Sequence, residues 1–398
     1  MKNIRRRMVA RSITEEHRAS SPLELLFDLT FVVAISSLVG QLAHAIVAGR
    51  AGEVIGPFLM VFFAIWWAWN QFTWLASAYD TDDVLYRVFT MVQMGGVLVL
   101  AAGVPRAFAA QDFTAITLGY FIMRVGLLAT LLRAMKDDPD SRPTSRRYVV
   151  GIAVVQVGWL LRLLFVPTDY IVPAFILLVV GELLVSPWAD RVGNLAWHPR
   201  HIAERYGLFT IILLGESVLA VTVAVQVALA NGVTAELVIV ASTGLVLLFT
   251  LWWLYFSEPA AEGLVNRRDR SYIWGYGHYF IFASLAAIGA ALEVAVEAGS
   301  HHISASELVV GYALAVPVAL FILLLWLLHA PLVDRVVIHP AATIGAAAVI
   351  LLIPLAAGLI GTIGTTVGIT LVCVLLLTVT ITRSVVLRDQ TKAATSRS

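Results

Sequence analysis

The sequence is poor in cysteine and in charge. Its one cysteine, Cys373, lies in the last apolar stretch, which excludes a disulfide within one chain and a zinc site built from thiolates. Charged residues make up only 13% of the chain. Walker loops, Rossmann fingerprints, Gly-x-Ser-x-Gly elbows and nucleic-acid modules are also missing. The sequence therefore predicts no cofactor and no nucleic-acid partner.

What the chain has in abundance is apolar residues. They form 60% of its 398 residues, and the mean hydropathy is +0.87. A soluble domain could not bury this much apolar surface. The composition indicates an all-α, polytopic membrane protein whose partners are membrane lipids and a small solute or ion. Whether it forms a homo-oligomer stays open.

Twelve apolar stretches are long enough to cross a bilayer core of about 30 Å as helices. The sixth is the shortest and carries Pro173 and Glu182. The predicted spans are residues 23–47, 54–79, 88–104, 113–132, 148–166, 170–185, 206–227, 237–256, 273–296, 308–328, 341–359 and 363–382.

Basic residues indicate the orientation. With a cytoplasmic N-terminus, the even-numbered connections and the two tails hold 23 of the 27 Lys and Arg residues. Positive charge favours the cytoplasmic side. We therefore expect a bacterial plasma-membrane protein with both termini in the cytoplasm.

The entry to the first span carries two carboxylates. Ser21 is placed as an N-cap and Glu24 follows it by three residues, which is the spacing of a capping box. Asp28 lies one turn deeper on the same face, where an ionised carboxylate is costly unless it has a partner or a function. Two interpretations stay open: a helix anchor paired with an arginine such as Arg18, or a binding site for a solute or cation.

A second candidate group lies deep in the seventh span. Glu216, followed by Ser217, comes twelve residues after Glu204, or about 18 Å along a helix. Arg124, midway along the fourth span, is the predicted partner of Glu216, because two buried opposite charges are tolerable only together. The pair is either a permanent lock or a proton- or substrate-linked switch.

Two cytoplasmic segments are also rich in charge. Asp80, Asp82 and Asp83 with Arg87 could hold Mg²⁺ against a pyrophosphate, although an arginine-bridged turn is the simpler interpretation. In the segment 198–206, His198 and His201 with one carboxylate make a weak metal site, and Arg200 and Arg205 facing lipid headgroups are the simpler interpretation.

The chain also shows a weak internal repeat. A shift of 180 residues aligns Glu24 to Thr30 with Glu204 to Thr210, and a Trp-Trp pair recurs at Trp66 and Trp252. This pattern predicts two parallel halves of six helices. The predicted domains are a basic N-terminal segment (1–21), two halves (22–190 and 191–385) and a disordered tail (386–398).

Three segments together resemble the bacterial low temperature requirement protein A (LtrA) family. They are LELLFDLTFVVAI at 23–35, DTDD at 80–83 with Arg87, and HIAERYGLFTIILLGESVLA at 201–220. The resemblance implies an integral membrane protein linked to growth at low temperature, with no established reaction.

We expect a transporter or ion-conducting protein in which Glu24 and Asp28 form a cytoplasmic mouth and Glu216 and Arg124 form a midplane couple. One alternative is a membrane-embedded lipid-modifying enzyme built on the acidic turn. The other is a non-catalytic membrane protein whose charges only lock helices together.

Overall fold

The computed structural model describes residues 5–12, 15, 18–193, 195–231, 235–258, 260–300, 303–333 and 337–395. These residues form α-helices and short 3₁₀ turns without strands, which confirms the all-α prediction. The helices are α1 (Pro22–Val47), α2 (Ala51–Ala78), α3 (Val84–Ala110), α4 (Thr114–Asp137), α5 (Arg142–Phe165), α6 (Ile171–Ala189), α7 (Pro199–Asn231), α8 (Ala235–Phe256), α9 (Ala260–Asn266), α10 (Ser271–Ser300), α11 (Glu307–His329), α12 (Pro340–Leu352) and α13 (Ala357–Thr395).

Ten stretches of the described chain are long and apolar enough to cross a membrane. The protein is therefore a multi-pass membrane protein. The difference from the predicted twelve lies in two places, since α7 is not among the ten and α12 with α13 counts as one stretch. Helix α13 ends at Thr395, inside the segment 386–398 for which the sequence predicts disorder.

The chain divides into two compact units that do not coincide with simple sequence halves. Unit 1 contains Met1–Leu38 and Gly56–Arg205, and unit 2 contains Val39–Ile55 and Tyr206–Ser398. Helices α1, α2 and α7 each contribute residues to both units.

Within unit 1, α3 and α4 pack closely through small residues. A Cβ atom added to Gly96 would lie 2.6 Å from the Gly119 carbonyl oxygen, and one added to Gly103 would lie 2.8 Å from the Ala115 Cβ. Association of helices in lipid relies on such close backbone approach, because apolar side chains are as well solvated by lipid as by protein. These glycines fix the two helices that carry Arg124 and the acidic turn.

The N-terminal segment, residues 5–12, lies against the ends of α2, α3 and α4 in unit 1. The Met8 side chain is fully buried in an apolar cluster with Tyr79 and Tyr86. The Arg6 N–H donates to Asp83 Oδ2 at 2.7 Å, and the Met8 N–H donates to Asp137 Oδ2 at 3.2 Å. The carboxylates of Asp83 and Asp137 therefore bind the backbone of the N-terminal segment, for which the sequence analysis predicts only a basic character.

In unit 2, α13 contains a kink near its start. Gly361, within α13, has φ +66° and ψ −180°, a conformation that residues with a Cβ atom adopt only with strain. Helices α12 and α13 pack against each other and against α11. One glycine thus interrupts what is otherwise a continuous helical stretch.

Candidate functional site

Helix α1 begins with the capping box that the sequence predicts. The Ser21 N–H donates to Glu24 Oε2 at 2.7 Å, and the Glu24 N–H donates to Ser21 Oγ at 3.3 Å. The box satisfies two backbone donors at the helix start and orients the Glu24 carboxylate. Its second oxygen, Oε1, stays available for other side chains.

One turn deeper, Asp28 is buried and is held by two donors. Trp69 Nε1 of α2 donates to Asp28 Oδ1 at 2.8 Å, and Arg205 Nη2 of α7 donates to the same oxygen at 2.5 Å. Asp28 is 2% exposed and Arg205 is fully buried. The carboxylate predicted to need a partner has one, 177 positions away in the sequence.

Glu24 joins the same group of side chains. Its Oε1 atom lies 3.1 Å from His201 Nε2, 3.7 Å from Arg205 Nη1 and 4.0 Å from Arg18 Nη2. We refer to Arg18, Glu24, Asp28, His201 and Arg205 as the charged cluster. All five side chains belong to unit 1 and are at most 6% exposed.

The basic members of the charged cluster correct the sequence interpretation. Arg205, interpreted as facing lipid headgroups, is buried among carboxylates, whereas Arg200 is exposed. A signal for this arrangement is present in the sequence: His201 and Arg205 have the same i, i+4 spacing as Glu24 and Asp28. Residues four apart share one face of a helix, so two such faces of opposite charge can meet.

Several polar atoms of the charged cluster have no hydrogen-bond partner within the described residues. They include Asp28 Oδ2, His201 Nδ1, and the Nε atoms of Arg18 and Arg205. A buried network that is only partly satisfied is costly. The cluster contains two carboxylates, two guanidinium groups and one imidazole, so a neutral His201 leaves it with no net charge and one added proton gives it a single positive charge.

The acidic turn between α2 and α3 is bridged by arginines, as its simpler interpretation predicts. Asp82 binds Arg87 at 2.8 Å, Asp80 lies 3.5 Å from Arg11, and Asp83 forms a two-point contact with Arg133. Within the described residues no group of His, Cys, Asp and Glu side chains is arranged to hold a metal ion. Each of these three carboxylates is therefore engaged by a guanidinium group.

Asp83 is the buried member of this turn. Burial alone would raise the pKa of Asp83, but hydrogen bonds from Arg133 and from the N–H groups of Arg6 and Tyr86 outweigh it and lower the pKa to about 2. A carboxylate whose pKa is lowered by folding stabilises the protein above its unfolded pKa, and this stabilisation is lost as the pH falls through the folded value.

Asp83→Asn is therefore expected to destabilise the protein by about 2 kcal/mol at pH 7, with the difference shrinking below about pH 4 and vanishing near pH 2. Melting curves of the detergent-solubilised protein from pH 2 to pH 7 measure this dependence. Asp82→Asn is the matched control, because Asp82 and Arg87 are each about half exposed and an exposed pair contributes little. A destabilisation by Asp83→Asn that does not change with pH would contradict the assignment.

Arg124 does not have the partner that the sequence predicts. It pairs with Glu182 of α6, at 3.2 Å between Nη2 and Oε2, and not with Glu216. Tyr120 donates to Glu182 Oε1 at 2.7 Å, and Trp67 and Trp159 donate their indole N–H groups at 2.9 Å and 3.2 Å. We refer to Trp67, Tyr120, Arg124, Trp159 and Glu182 as the Glu182 box.

The Glu182 box is an enclosed ion pair. Glu182 and Arg124 are each 1% exposed, and the Arg124 guanidinium also lies 4.5 Å from the Tyr120 ring centroid. Glu182 accepts from four side chains, which satisfies the requirement that a charge inside a membrane protein be paired and hydrogen-bonded. This arrangement favours a structural role for Arg124.

Glu216 and Ser217 lie on α7 in unit 2. Both are buried, at 4% and 1% exposure, and Ser217 Oγ donates to the Leu213 carbonyl oxygen at 3.0 Å. A Cβ atom on Gly289 of α10 would lie 2.7 Å from Ser217 Oγ, so α7 and α10 approach closely there. Glu216 and Glu293 of α10 are near enough for their charges to repel.

Unit 2 also contains two buried histidines. His278 Nδ1 lies 2.7 Å from the Trp274 carbonyl oxygen, and the Tyr255 hydroxyl lies 3.2 Å from His278 Nε2. With Nδ1–H as the donor to the carbonyl, Nε2 accepts a hydrogen bond from the Tyr255 hydroxyl. His329 binds the Leu325 carbonyl oxygen in the same way, at 2.8 Å. Both rings act as hydrogen-bonding residues.

Comparison with known proteins gives two matches. The family model described as bacterial low temperature requirement A protein (LtrA) matches residues 19–380. An uncharacterized protein of Rhizobium meliloti (strain 1021) is 29% identical over 282 residues, which cover 67% of this chain. The match spans 66% of that relative's length.

Proposed function

Because the chain belongs to the bacterial low temperature requirement A family, whose name describes growth and specifies no reaction, we propose that it is a membrane transporter that moves a proton through the charged cluster. It acts in the bacterial plasma membrane, with both termini in the cytoplasm and two parallel six-helix halves. Growth at low temperature depends on this transport.

One observation carries the proposal. The charged cluster buries five ionisable side chains while several of their polar atoms lack hydrogen-bond partners among the described residues. Ionisable residues inside membrane helices are costly and mark ion or substrate pathways. A proton can bind at His201 or at Asp28 Oδ2, while Arg205 contacts both Glu24 and Asp28 and compensates for the change of charge.

Other residues predicted from the sequence have different roles in this proposal. Glu216 and Ser217 form the corresponding polar site in unit 2, near Glu293 of α10. Arg124, which is paired with Glu182, stabilises the fold and takes no part in transport.

The experiment is proton flux into liposomes that contain the purified protein. A pH-sensitive dye is trapped inside, and a potassium diffusion potential drives proton entry. The unmodified protein is expected to acidify the interior, and Asp28→Asn is expected to reduce the rate about tenfold or more, because the amide cannot carry the proton. Asn still accepts the Trp69 hydrogen bond, which favours retention of the fold.

Asp82→Asn is the matched control for flux, since Asp82 is an exposed carboxylate at the same end of unit 1. Elution as a single species on size exclusion establishes that each variant is folded. Equal flux in folded Asp28→Asn and in the unmodified protein would reject proton transport through the charged cluster. That result would support the alternative in which the cluster only locks α1 to α7.

A further inference from the structure

Unit 1 contains a pocket at the end opposite to the charged cluster. The pocket lies beside the middle of α2, where α4 and α6 begin and α5 ends, and its cavity volume of about 20 Å³ has room for about one water-sized group. Most of its lining is apolar or aromatic and includes Met60, Phe63, Phe113, Tyr120, Trp159 and Phe175.

One charged side chain, Arg162 in the last turn of α5, lines this pocket. Arg162 is 6% exposed, and no carboxylate of the described residues lies within ion-pair distance of it. Its Cζ atom lies 5.4 Å from the ring centroid of Phe113, 5.6 Å from that of Phe175 and 5.7 Å from that of Trp159. Aromatic rings stabilise a cation without neutralising it.

The unsatisfied atoms of Arg162 have a specific arrangement. Nε and Nη2 are buried and have no hydrogen-bond partner within the described residues. These two nitrogens form one edge of the guanidinium group, the edge that binds a carboxylate or phosphate through two parallel hydrogen bonds. Arg162 therefore has two adjacent hydrogen-bond donors for which the described residues provide no acceptor.

The neighbouring Glu182 box provides a comparison within the same unit. Arg124 is just as buried, but it is paired with Glu182. The polar atoms of Tyr120 and Trp159 also bind Glu182. These two side chains therefore line the pocket mainly with their aromatic rings. The pocket thus combines an unpaired cation with an apolar wall.

We propose that the Arg162 pocket binds an anionic amphiphile, a molecule with one carboxylate or phosphate group on an apolar body. The anionic group binds the Nε and Nη2 edge of Arg162, and the apolar body contacts Phe113, Trp159 and Phe175. Pairing with the anion removes the cost of an isolated charge inside a membrane protein.

Such a molecule can reach the pocket from the lipid bilayer. Leu164 and Phe165, which follow Arg162 on α5, are 70% and 73% exposed and face outward. An apolar tail that extends from the pocket can continue along such side chains. Fatty-acid carboxylates and phospholipid headgroups share this chemistry, and the experiment separates the two sources.

The experiment measures binding of dodecanoate to the purified full-length protein in neutral detergent, by native mass spectrometry and by the shift in melting temperature. Dodecanol, which has the same chain and no charge, is the matched probe. Dodecanoate is expected to bind, and dodecanol is expected to bind about tenfold or more weakly, because charge-assisted hydrogen bonds are the stronger ones. Phosphatidylglycerol in nanodiscs is the second anionic probe.

Arg162→Met is expected to weaken dodecanoate binding about tenfold or more, and Arg162→Lys is expected to retain part of it. Arg162→Met keeps most of the side-chain volume and removes an unpaired charge, so the variant is expected to fold. Arg106→Gln is the control, because Arg106 is 77% exposed at the same end of unit 1.

The outcomes are distinct. Loss of dodecanoate binding in Arg162→Met but not in Arg106→Gln supports the pocket as a fatty-acid site. Retention of phosphatidylglycerol alone, again dependent on Arg162, supports the pocket and assigns the ligand to a lipid headgroup. Equal binding of dodecanoate and dodecanol, or no loss of either anion in Arg162→Met, overturns the proposal.

Discussion

Arg205→Leu is expected to lower the free energy of unfolding by about 3–5 kcal/mol, because it leaves buried carboxylates without their counter-charge. Arg205 is fully buried and lies 2.5 Å from Asp28 and 3.7 Å from Glu24. Leucine has no donor for either oxygen. The melting temperature of the detergent-solubilised protein, followed by size exclusion after heating, measures the loss.

A double-mutant cycle identifies the cause of this loss. In Arg205→Leu combined with Asp28→Asn, the buried aspartate charge is gone as well, so the double variant should be less destabilised than the sum of the two single variants. Arg200→Leu is the matched control, because Arg200 is exposed in the first turn of α7, five residues before Arg205. Additive losses in the cycle would mean that the two side chains are not coupled.

Glu182→Leu is expected to have an effect of similar size, about 3–5 kcal/mol, for the opposite reason. It removes the one acceptor shared by four donors and leaves the Arg124 guanidinium buried without a counter-charge. Trp67 and Trp159 are two of those donors, so their fluorescence is expected to change together with the melting temperature.

The control for Glu182→Leu is Glu53→Leu, since the Glu53 side chain is 69% exposed. Adding Arg124→Leu to Glu182→Leu removes both buried charges, and the double variant should recover much of the lost stability. If Glu182→Leu melts at the same temperature as the unmodified protein, the Glu182 box does not hold α2, α4, α5 and α6 together.

Local sequence patterns predicted the local structure correctly. The capping box at Ser21 and Glu24 forms as expected, because it depends only on residues three apart. The all-α class follows from apolar composition in the same way. The family resemblance, carried by residues 23–35 and 201–220, is confirmed by a match over residues 19–380.

The partners of buried charges were not predictable, since they depend on which helices are neighbours. For Arg124 the sequence analysis predicted Glu216 as the partner, whereas the structure pairs Arg124 with Glu182 of α6. The i, i+4 spacing of His201 and Arg205 places them on one face of α7, but the sequence does not specify that this face points inward while Arg200 points outward. Helix packing decides such pairings, and a single sequence does not specify it.

The predicted count of twelve membrane helices is not confirmed at residues 340–385. Hydropathy divides this range into two spans between residues 359 and 363, and the structure has a kink there at Gly361, a residue with φ +66°, although the whole range counts as one apolar stretch. Gly364 and Gly368 follow it along α13, and the sequence does not distinguish the three. Backbone conformation, which composition does not specify, decides where the helix breaks.

The burial of Met8 and its hydrogen bond to Asp137 have a consequence for biosynthesis. Its backbone N–H binds Asp137, 129 positions later in the chain. Residues 5–12 therefore leave the ribosome long before their binding site exists, and they can settle only after α2, α3 and α4 have been synthesised and inserted. Residues 5–12 are thus among the last parts of unit 1 to assemble, and a mutation of the distant Asp137 would remove one of the contacts that hold them.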